Sequence, residues 1–254
     1  MILLFLLSPL FLIAATKDSV DVSRFVAFYD YTVRTQNSDG KDVTDSIRLA
    51  VQVGQNFSMC TSIYSYLTYK GQDERVGGHK QYIFQTMNFP FRIVTDWSQG
   101  KLTTWDYLLP NEYITEEPVD SMKWEILSDS TATTTFHGVT WNVRYADSIP
   151  SSSGPWKLHG LPGLITDAWS QDSIHHFSFL QMTPEEVTIY VESSSDIIPI
   201  KPHKFIKFRN QILCDKRYPK EPCYYTPKVN GGLISGGIAI FPQAKANVFQ
   251  PLEK

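Results

Sequence analysis

The sequence predicts a mainly β protein, built on a strongly curved antiparallel sheet or half-barrel with one or two short helices. Two observations support this fold class. From Ser23 onward the chain consists of short runs that alternate polar and apolar residues and are broken by Gly, Asn, Asp and Ser. About ten such runs follow at spacings of roughly 8 to 15 residues, which is typical of antiparallel sheets and not of βαβ units.

The N-terminal segment has the pattern of a targeting signal and not of an element of the folded domain. Residues 1–15 (MILLFLLSPLFLIAA) are apolar except for Ser8 and Pro9, and the run is shorter than the roughly 20 residues that a membrane-spanning helix needs. We expect a signal peptide that is cleaved near Ala15, and a single domain over residues 16–254 without a transmembrane span in its mature form. A buried N-terminal strand or helix is the alternative.

The remaining elements follow from alternation and turn signals. The predicted strands span residues 24–35, 45–53, 81–87, 91–96, 102–109, 122–127, 175–181 and 187–192. Residues 133–145 predict a hairpin centred on His137-Gly138. Helices are predicted over residues 62–70, with Ser62 as the N-cap, and over 202–209. From about residue 219 the chain becomes a Pro/Gly-rich tail.

The composition bounds the class of protein. Of 254 residues, 42% are hydrophobic and 19% are charged, so the chain can form one sizeable core and disorder is not its default state. There are 23 Lys and Arg against 26 Asp and Glu, a formal net charge of −3. Because no basic excess is available to hold a phosphate backbone, we predict no nucleic-acid partner.

Three cysteines fit an oxidising compartment. Cys214 and Cys223 bracket the polar stretch CDKRYPKEPC, and a loop this short can close into a disulfide. Cys60 is then unpaired, and we interpret it as a small buried apolar residue and not as a nucleophile.

The most informative stretch is residues 149–165, which reads IPSSSGPWKLHGLPGLI. It holds the hexapeptide GLPGLI at residues 160–165, with GPWK just upstream. With these motifs the chain resembles the GLPGLI (Porph_ging) family of exported Bacteroidetes proteins, sharply over roughly residues 122–180. One departure is Asp129, which stands where many members carry a Cys.

The resemblance implies an exported, mainly β protein of an uncharacterised family and no reaction. It implies a periplasmic or outer-membrane-associated location. Because family members are often encoded near TonB-dependent outer-membrane receptors, it also implies such a receptor as a possible partner.

The chemistry of the motif supports two readings. Leu161-Pro162-Gly163-Leu164 predicts a type II turn in which Gly163 has a positive φ. In the structural reading, which we favour, the loop folds over one end of the sheet and plugs the core. In the functional reading it is a rigid lip on a groove that binds a ligand or partner. The candidate binding residues are Trp141, Trp156, His159, Leu161, Pro162 and Leu164.

Catalytic motifs are missing from the sequence. It contains no GxSxG or HExxH, the patterns of many serine hydrolases and of zincins. His175 and His176 are adjacent on a predicted strand and point to opposite faces. His159 could meet His137 or His176 and form a metal site, but we favour solvated or hydrogen-bonded histidines. We predict no catalytic residue, metal or cofactor.

Two carboxylate pairs could suggest a glycosidase. Glu116-Glu117 precedes Pro118, and Glu185-Glu186 follows Pro184. Since Pro and acidic residues are common together at turns and helix starts, we interpret both pairs as charges of that kind.

These observations favour a non-enzymatic envelope protein that binds an apolar ligand, a peptide or a partner protein. The alternatives are a periplasmic hydrolase with a site near His159 and Asp167, and a structural subunit of an outer-membrane complex. Six tripeptides of the form Asp-Ser-X also resemble the O-glycosylation signal of exported Bacteroidetes proteins. Because modification needs an exposed hydroxyl, Ser148 and Ser173 in predicted turns are the best candidates.

Overall fold

The computed structural model describes residues 18–37, 39–63, 65–67, 91–108, 111–191, 197–214, 223–225, 228–229, 232–233, 238–240 and 250–254. The strands are β1 (Asp18–Val22), β2 (Phe25–Gln36), β3 (Asp42–Val53), β4 (Phe57–Ser62), β5 (Phe91–Asp96), β6 (Lys101–Leu108), β7 (Asn111–Pro118), β8 (Glu125–Ser128), β9 (Thr131–Phe136), β10 (Val139–Ala146), β11 (Leu164–Ser170), β12 (His175–Thr183), β13 (Thr188–Val191), β14 (Ile198–Pro199), β15 (Cys223–Tyr225), β16 (Lys228–Val229), β17 (Gly232–Leu233) and β18 (Ile238–Ile240). A 3-10 turn spans Val119–Ser121, and helix α1 spans Pro202–Cys214.

Twelve strands form one open sheet in the order β14-β7-β6-β5-β4-β3-β2-β12-β11-β10-β9-β8. Every neighbouring pair in it is antiparallel except β14 and β7, which are parallel. Three two-stranded sheets accompany it: β1-β13, β15-β18 and β16-β17. The predicted fold class, a mainly β protein with a large antiparallel sheet, is confirmed.

The alternation of side chains decides which face of the sheet is buried. Along β10, Trp141, Val143 and Tyr145 are buried, while Asn142 is only partly buried and Arg144 is exposed. Since successive residues of a strand point to opposite faces, the buried series defines an inner face that carries the main core. We call the opposite side the outer face.

The predicted hairpin at His137-Gly138 is present. Phe136 of β9 pairs with Val139 of β10, and the two residues between them have φ values of 46° and 76°. Two successive positive φ angles are typical of the tight hairpin turn that matches the twist of its strands.

Other elements cover parts of both faces. Helix α1 packs on β7, with the rings of Phe205 and Tyr113 at 5.1 Å between centroids. On the outer face, Ile189 of β13 joins Met59, Val94 and Trp105 in a separate apolar cluster.

Several predicted elements differ from the structure in extent. The predicted strand 81–87 and the signal peptide 1–15 lie outside the described residues. Of the predicted helix 62–70, residues 63 and 65–67 are helical, and residues 64 and 68–70 lie outside the described residues. Helix α1 extends beyond its predicted end at residue 209. Strand β7 was missed: Glu116 and Glu117, which we interpreted as turn charges, lie within it. None of the described helices is long and apolar enough to cross a membrane.

Candidate functional site

The loop between β10 and β11, residues 147–163, fills the inner face of the sheet. Trp156, Leu158 and Leu161 are buried in the main apolar cluster. The indole of Trp156 lies 5.4 Å from that of Trp141 between ring centroids. The loop is therefore part of the core, as the structural reading of the motif expects.

Specific hydrogen bonds hold this loop in place. The Gly160 N–H donates to the Ser152 carbonyl at 2.8 Å within the loop. The Trp124 indole N–H donates to the His159 carbonyl at 2.7 Å, and the Trp156 N–H donates to Cys60 Sγ at 3.2 Å. Burial raises the pKa of the Cys60 thiol to about 12. Cys60 is thus a protonated packing residue, because only a thiolate is a nucleophile.

The predicted type II turn at Gly163 is wrong. Gly163 is not among the residues with positive φ, whereas Gly160 has φ +91°. Gly163 is needed for a different reason: a Cβ on it would lie 2.1 Å from the Ala146 carbonyl oxygen and 2.6 Å from the Asp147 Cα. The close approach of two backbone segments, and not the turn type, explains this glycine.

The candidate binding residues occupy two environments. Trp141, Trp156, His159, Leu161 and Leu164 are all buried, and only Pro162 is exposed. The five buried side chains pack inside the protein. Their binding role stays a prediction.

A group of six ionisable side chains lies beside this core; we call it the buried charge cluster. It consists of Asp106, Glu117, His137, Lys157, Arg209 and Glu253. Its members come from β6, β7, the β9–β10 turn, the β10–β11 loop, helix α1 and residues 250–254. The sequence does not predict this cluster, because no spacing pattern links residues so far apart in the chain.

Lys157 is at the centre of the buried charge cluster. Its Nζ lies 2.8 Å from Glu117 Oε1 and 2.7 Å from Glu253 Oε1. The Arg209 guanidinium lies 3.0 Å from Glu253 Oε2 and 3.2 Å from Asp106 Oδ2, so it links these two carboxylates. His137 Nε2 contacts the other carboxylate oxygen of Glu117.

The electrostatics of the cluster follow from burial and pairing. Burial opposes the charged form of Glu253, but the cations Lys157 and Arg209 lower the pKa of its carboxyl group to about 2. Burial would lower the pKa of Lys157, but the carboxylates of Glu253 and Glu117 raise it. Burial raises the pKa of Asp106 to about 6 despite its contact with Arg209. The central Lys–Glu pairs are therefore charged at neutral pH.

The cluster has the residue types of a metal site but not its electrostatics. One ligand atom each from Glu117, His137 and Glu253 lie within 4.8 Å of one another. Lys157 already places its ammonium group on both carboxylates. Because a charged lysine repels a metal cation, the geometry fits an internal ion-pair network better than a metal centre.

Next to the β10–β11 loop, the described residues leave little room for a ligand. A cavity lined by Cys60, Ser153, Trp156 and His159 has a volume of about 10 Å³, which is close to the space that one water needs.

A larger depression lies on the outer face, and we call it the outer groove. It measures about 440 Å³ and crosses strands β10, β11, β12, β2 and β3. Its lining includes Thr32, Arg34, Arg144, Asp167, Trp169 and His176.

Asp167 organises the charges of the outer groove. Its Oδ1 lies 2.7 Å from His176 Nε2 and its Oδ2 lies 3.2 Å from Arg144 Nη1. The Arg144 guanidinium stacks over the Trp169 ring, 5.4 Å from its centroid. Arg34 makes no ion pair with any other residue in the described ranges.

The outer groove does not form a catalytic triad. Ser178 Oγ lies 3.2 Å from His176 Nε2, the same nitrogen that contacts Asp167. A serine nucleophile activated by histidine needs the carboxylate on one ring nitrogen and the serine on the other. With both partners on Nε2, His176 cannot relay a proton between them.

The predicted hydrolase site near His159 and Asp167 is not assembled. The ring nitrogens of His159 face the carbonyl oxygens of Lys157, at 2.5 Å, and Val119, at 2.8 Å, on the inner side of the sheet. Asp167 instead lines the outer groove. The same two carbonyl contacts occupy His159, so it does not ligate a metal together with His137 or His176.

The two adjacent histidines on β12 have different environments. His176 lies in the outer groove, and His175 is buried on the inner face. The hydroxyl of Tyr31 lies 2.9 Å from His175 Nδ1, and the Pro251 carbonyl lies 3.1 Å from Nε2. Burial lowers the pKa of His175 to about 4, so it is neutral at pH 7.

The candidate modification sites are accessible. Ser148 and Ser173 are both exposed and lie in bends between strands, as O-glycosylation needs. The side chains of Cys214 and Cys223 lie outside the described residues, and their disulfide stays a prediction.

Comparisons with known proteins add little. No family model and no curated protein matches the chain. Among solved structures it is similar to PNGF-II in space group P21, with a TM-score of 0.44, 9% identity, and coverage of 74% of this chain and 33% of that one. The corresponding values for PNGF-II in space group C2 are 0.42, 11%, 80% and 36%. The chain thus spans about a third of the PNGF-II chain, and likenesses this weak give no information on activity. Membership of the GLPGLI family stays a prediction from its motif.

Proposed function

We propose that the protein is an exported cell-envelope protein without catalytic activity, and that it binds a peptide segment or an envelope partner protein in the outer groove. The observation that supports this most is the groove itself, an open depression of about 440 Å³. Export and a TonB-dependent receptor as a possible partner rest on the apolar N-terminal run and the GLPGLI motif.

The shape of the interior favours a peptide or protein over an apolar ligand. An apolar carrier needs an enclosed cavity of several hundred Å³ lined by apolar side chains. The described inner face is filled by Trp156, Leu158 and Leu161 of the β10–β11 loop, and the cavity beside them measures about 10 Å³. The large depression is instead open, and charged side chains line it together with Trp169.

The charges of the outer groove favour a ligand that carries a carboxylate. Asp167 already contacts Arg144 and His176, whereas Arg34 has no ion-pair partner among the described residues. A guanidinium presents several donors in a fixed fork that matches a carboxylate. An acidic segment would therefore pair with Arg34 without displacing an existing contact.

A capture experiment with matched variants tests the proposal. The wild-type protein and an Arg34→Gln/Trp169→Ala variant are immobilised and exposed to envelope extract of the native host, and retained proteins are quantified by mass spectrometry. We expect the groove variant to retain at least one partner about tenfold less than the wild type does. The loss of a charged hydrogen bond and an aromatic contact should weaken the binding free energy by about 1.4 kcal/mol or more.

The control is Lys101→Gln, which removes an exposed ion pair on β6 and should retain the partner fully. Equal retention by the groove variant and the wild type would place the binding surface elsewhere. Hydrolysis of a captured partner would favour the enzyme hypothesis.

A further inference from the structure

Residues 251–254 (Pro-Leu-Glu-Lys) lie in a cleft on the inner side of the molecule, and we call these residues the PLEK segment. The cleft is formed by the β9–β10 turn, the β10–β11 loop, β12 and helix α1. It uses residues that the outer groove does not share, apart from His175, whose ring faces inward. The cleft contacts both the side chains and the backbone of the segment.

Two side chains of the PLEK segment are held specifically. Leu252 is 3% exposed and belongs to the main apolar cluster. Glu253 is 1% exposed, and its carboxylate lies 2.7 Å from Lys157 Nζ and 3.0 Å from Arg209 Nη2. The cleft thus has an apolar subsite next to a subsite with two cations.

The backbone of the PLEK segment is recognised at three points. The neutral His175 ring accepts from the Tyr31 hydroxyl through Nδ1, so its Nε2–H donates to the Pro251 carbonyl at 3.1 Å. Asn210 Nδ2 donates to the Glu253 carbonyl at 2.6 Å. The Lys254 N–H donates to the His137 carbonyl at 2.7 Å.

The cleft is charge-balanced without the segment. Lys157 also pairs with Glu117 at 2.8 Å, and Arg209 also pairs with Asp106 at 3.2 Å. If the PLEK segment leaves, each cation keeps a carboxylate, so neither is left as an unpaired buried charge. The receptor side of the contact can therefore persist when it is empty.

We propose that this cleft is a peptide-recognition site for an extended segment in which Leu is followed by Glu, and that residues 251–254 occupy it in cis. Backbone hydrogen bonds and two side-chain subsites are the usual basis of peptide recognition. A ligand tethered in the same chain acts at an effective concentration of about millimolar. A peptide added in trans is therefore excluded from the wild-type protein at micromolar concentrations.

The test uses the full chain with a weakened cis ligand. In the Leu252→Ala/Glu253→Gln variant the segment loses both side-chain contacts, and the cleft is open to a fluorescein-labelled peptide of residues 250–254. Binding is measured by fluorescence anisotropy, and the melting temperature Tm is measured with and without unlabelled peptide. A peptide with Gln in place of Glu is the ligand control.

We expect the variant to melt at least about 5 °C below the wild type, because a buried leucine side chain and a buried ion pair are lost. The wild-type sequence peptide should bind it and raise its Tm by about 3 °C at ten times the Kd. The Gln-containing peptide should bind at least about tenfold more weakly. Adding Asn210→Ala to the variant should weaken peptide binding about fivefold, because it removes a receptor hydrogen bond.

Two results would overturn the proposal. One is a variant that melts like the wild type, since the segment would then contribute nothing. The other is a variant that is destabilised or unfolded and is neither bound nor restored by millimolar peptide, as judged by anisotropy and circular dichroism. Recovery of the folded signal by the peptide would support the proposal even where the variant alone does not fold.

Discussion

At Gly163 the structure has no room for a side chain. A Cβ would lie 2.1 Å from the Ala146 carbonyl oxygen, and that oxygen belongs to backbone that cannot rotate away. We expect Gly163→Ala to lower the free energy of unfolding by about 3 kcal/mol, because the loop must move off β10. Urea denaturation followed by tryptophan fluorescence measures this loss.

Gly40→Ala is the matched control for Gly163→Ala. Gly40 has φ +75°, and a Cβ there meets nothing within 4 Å. Its replacement should cost about 1 kcal/mol through backbone strain alone. Equal losses at the two positions would contradict the steric explanation of Gly163.

His175 makes stability depend on pH. Its pKa is about 4 in the folded protein against an ordinary value of 6.5, so between these values the unfolded chain binds more protons. The contribution of neutral His175 to the free energy of unfolding is complete above pH 6.5. It is lost as the pH falls toward 4, and the loss is about 3 kcal/mol.

Denaturation of the wild type and His175→Gln at pH 7.5 and 4.5 isolates this effect. Gln can still accept from the Tyr31 hydroxyl and donate to the Pro251 carbonyl, but it does not titrate. We expect the wild type to lose more stability than the variant between the two pH values. Parallel losses would assign the pH dependence to other groups.

Among the elements, the β10–β11 loop is held to β7 and the PLEK segment by Lys157. Replacing Lys157 with Met keeps most of its volume but leaves Glu117 and Glu253 facing each other in a buried site. We expect a loss of about 3–5 kcal/mol in the free energy of unfolding.

The exposed pair on neighbouring strands provides the control for Lys157→Met. Lys101 contacts Glu116 at 3.1 Å with both side chains well exposed. Lys101→Met should change stability by less than about 1 kcal/mol. Similar effects of the two lysine replacements would show that burial does not set the strength of the Lys157 pairs.

The elements that the sequence predicted well are those whose pattern is local. The alternation of β10 and the His137-Gly138 turn each depend on adjacent residues, and both are present in the structure. Strand β7 was missed because Glu117 points into the core, where an apolar residue is the usual occupant. Its burial is compensated by Lys157, forty positions later, and no local pattern reports such a contact.

The outer groove and the buried charge cluster could not be predicted for the same reason. Arg34 and Arg144 are 110 positions apart in sequence and share a groove only because β12 and β11 lie between their strands. A strand order in which β2 follows β12 is a long-range property of the sheet. The sequence contains the side chains of both sites but not their proximity.

At the scale of the whole molecule, the sheet has a protected centre and exposed edge strands, β8 and β14. β2 and β3 pair along twelve residues each, whereas all four residues of the edge strand β8 are exposed. In hydrogen exchange we expect the amides of β2 and β3 to open only with global unfolding, and those of β8 to exchange by local fraying.

The denaturant dependence of exchange distinguishes the two classes of amide. Rates in β2 should rise with urea at the slope of global unfolding, and rates in β8 should be nearly independent of urea. A steep slope in β8 would mean that the edge is as stable as the centre.

The buried charge cluster has an evolutionary consequence. Losing the cation Lys157 or Arg209 leaves two buried carboxylates with one cation fewer, whereas exchanging a cation and its carboxylate partners for apolar residues can be neutral or even stabilising. Substitutions at positions 157 and 209 should therefore be tolerated together with changes at their carboxylate partners and rarely alone. In homologues that lack a cation at position 157, we expect positions 117 and 253 to be uncharged as well.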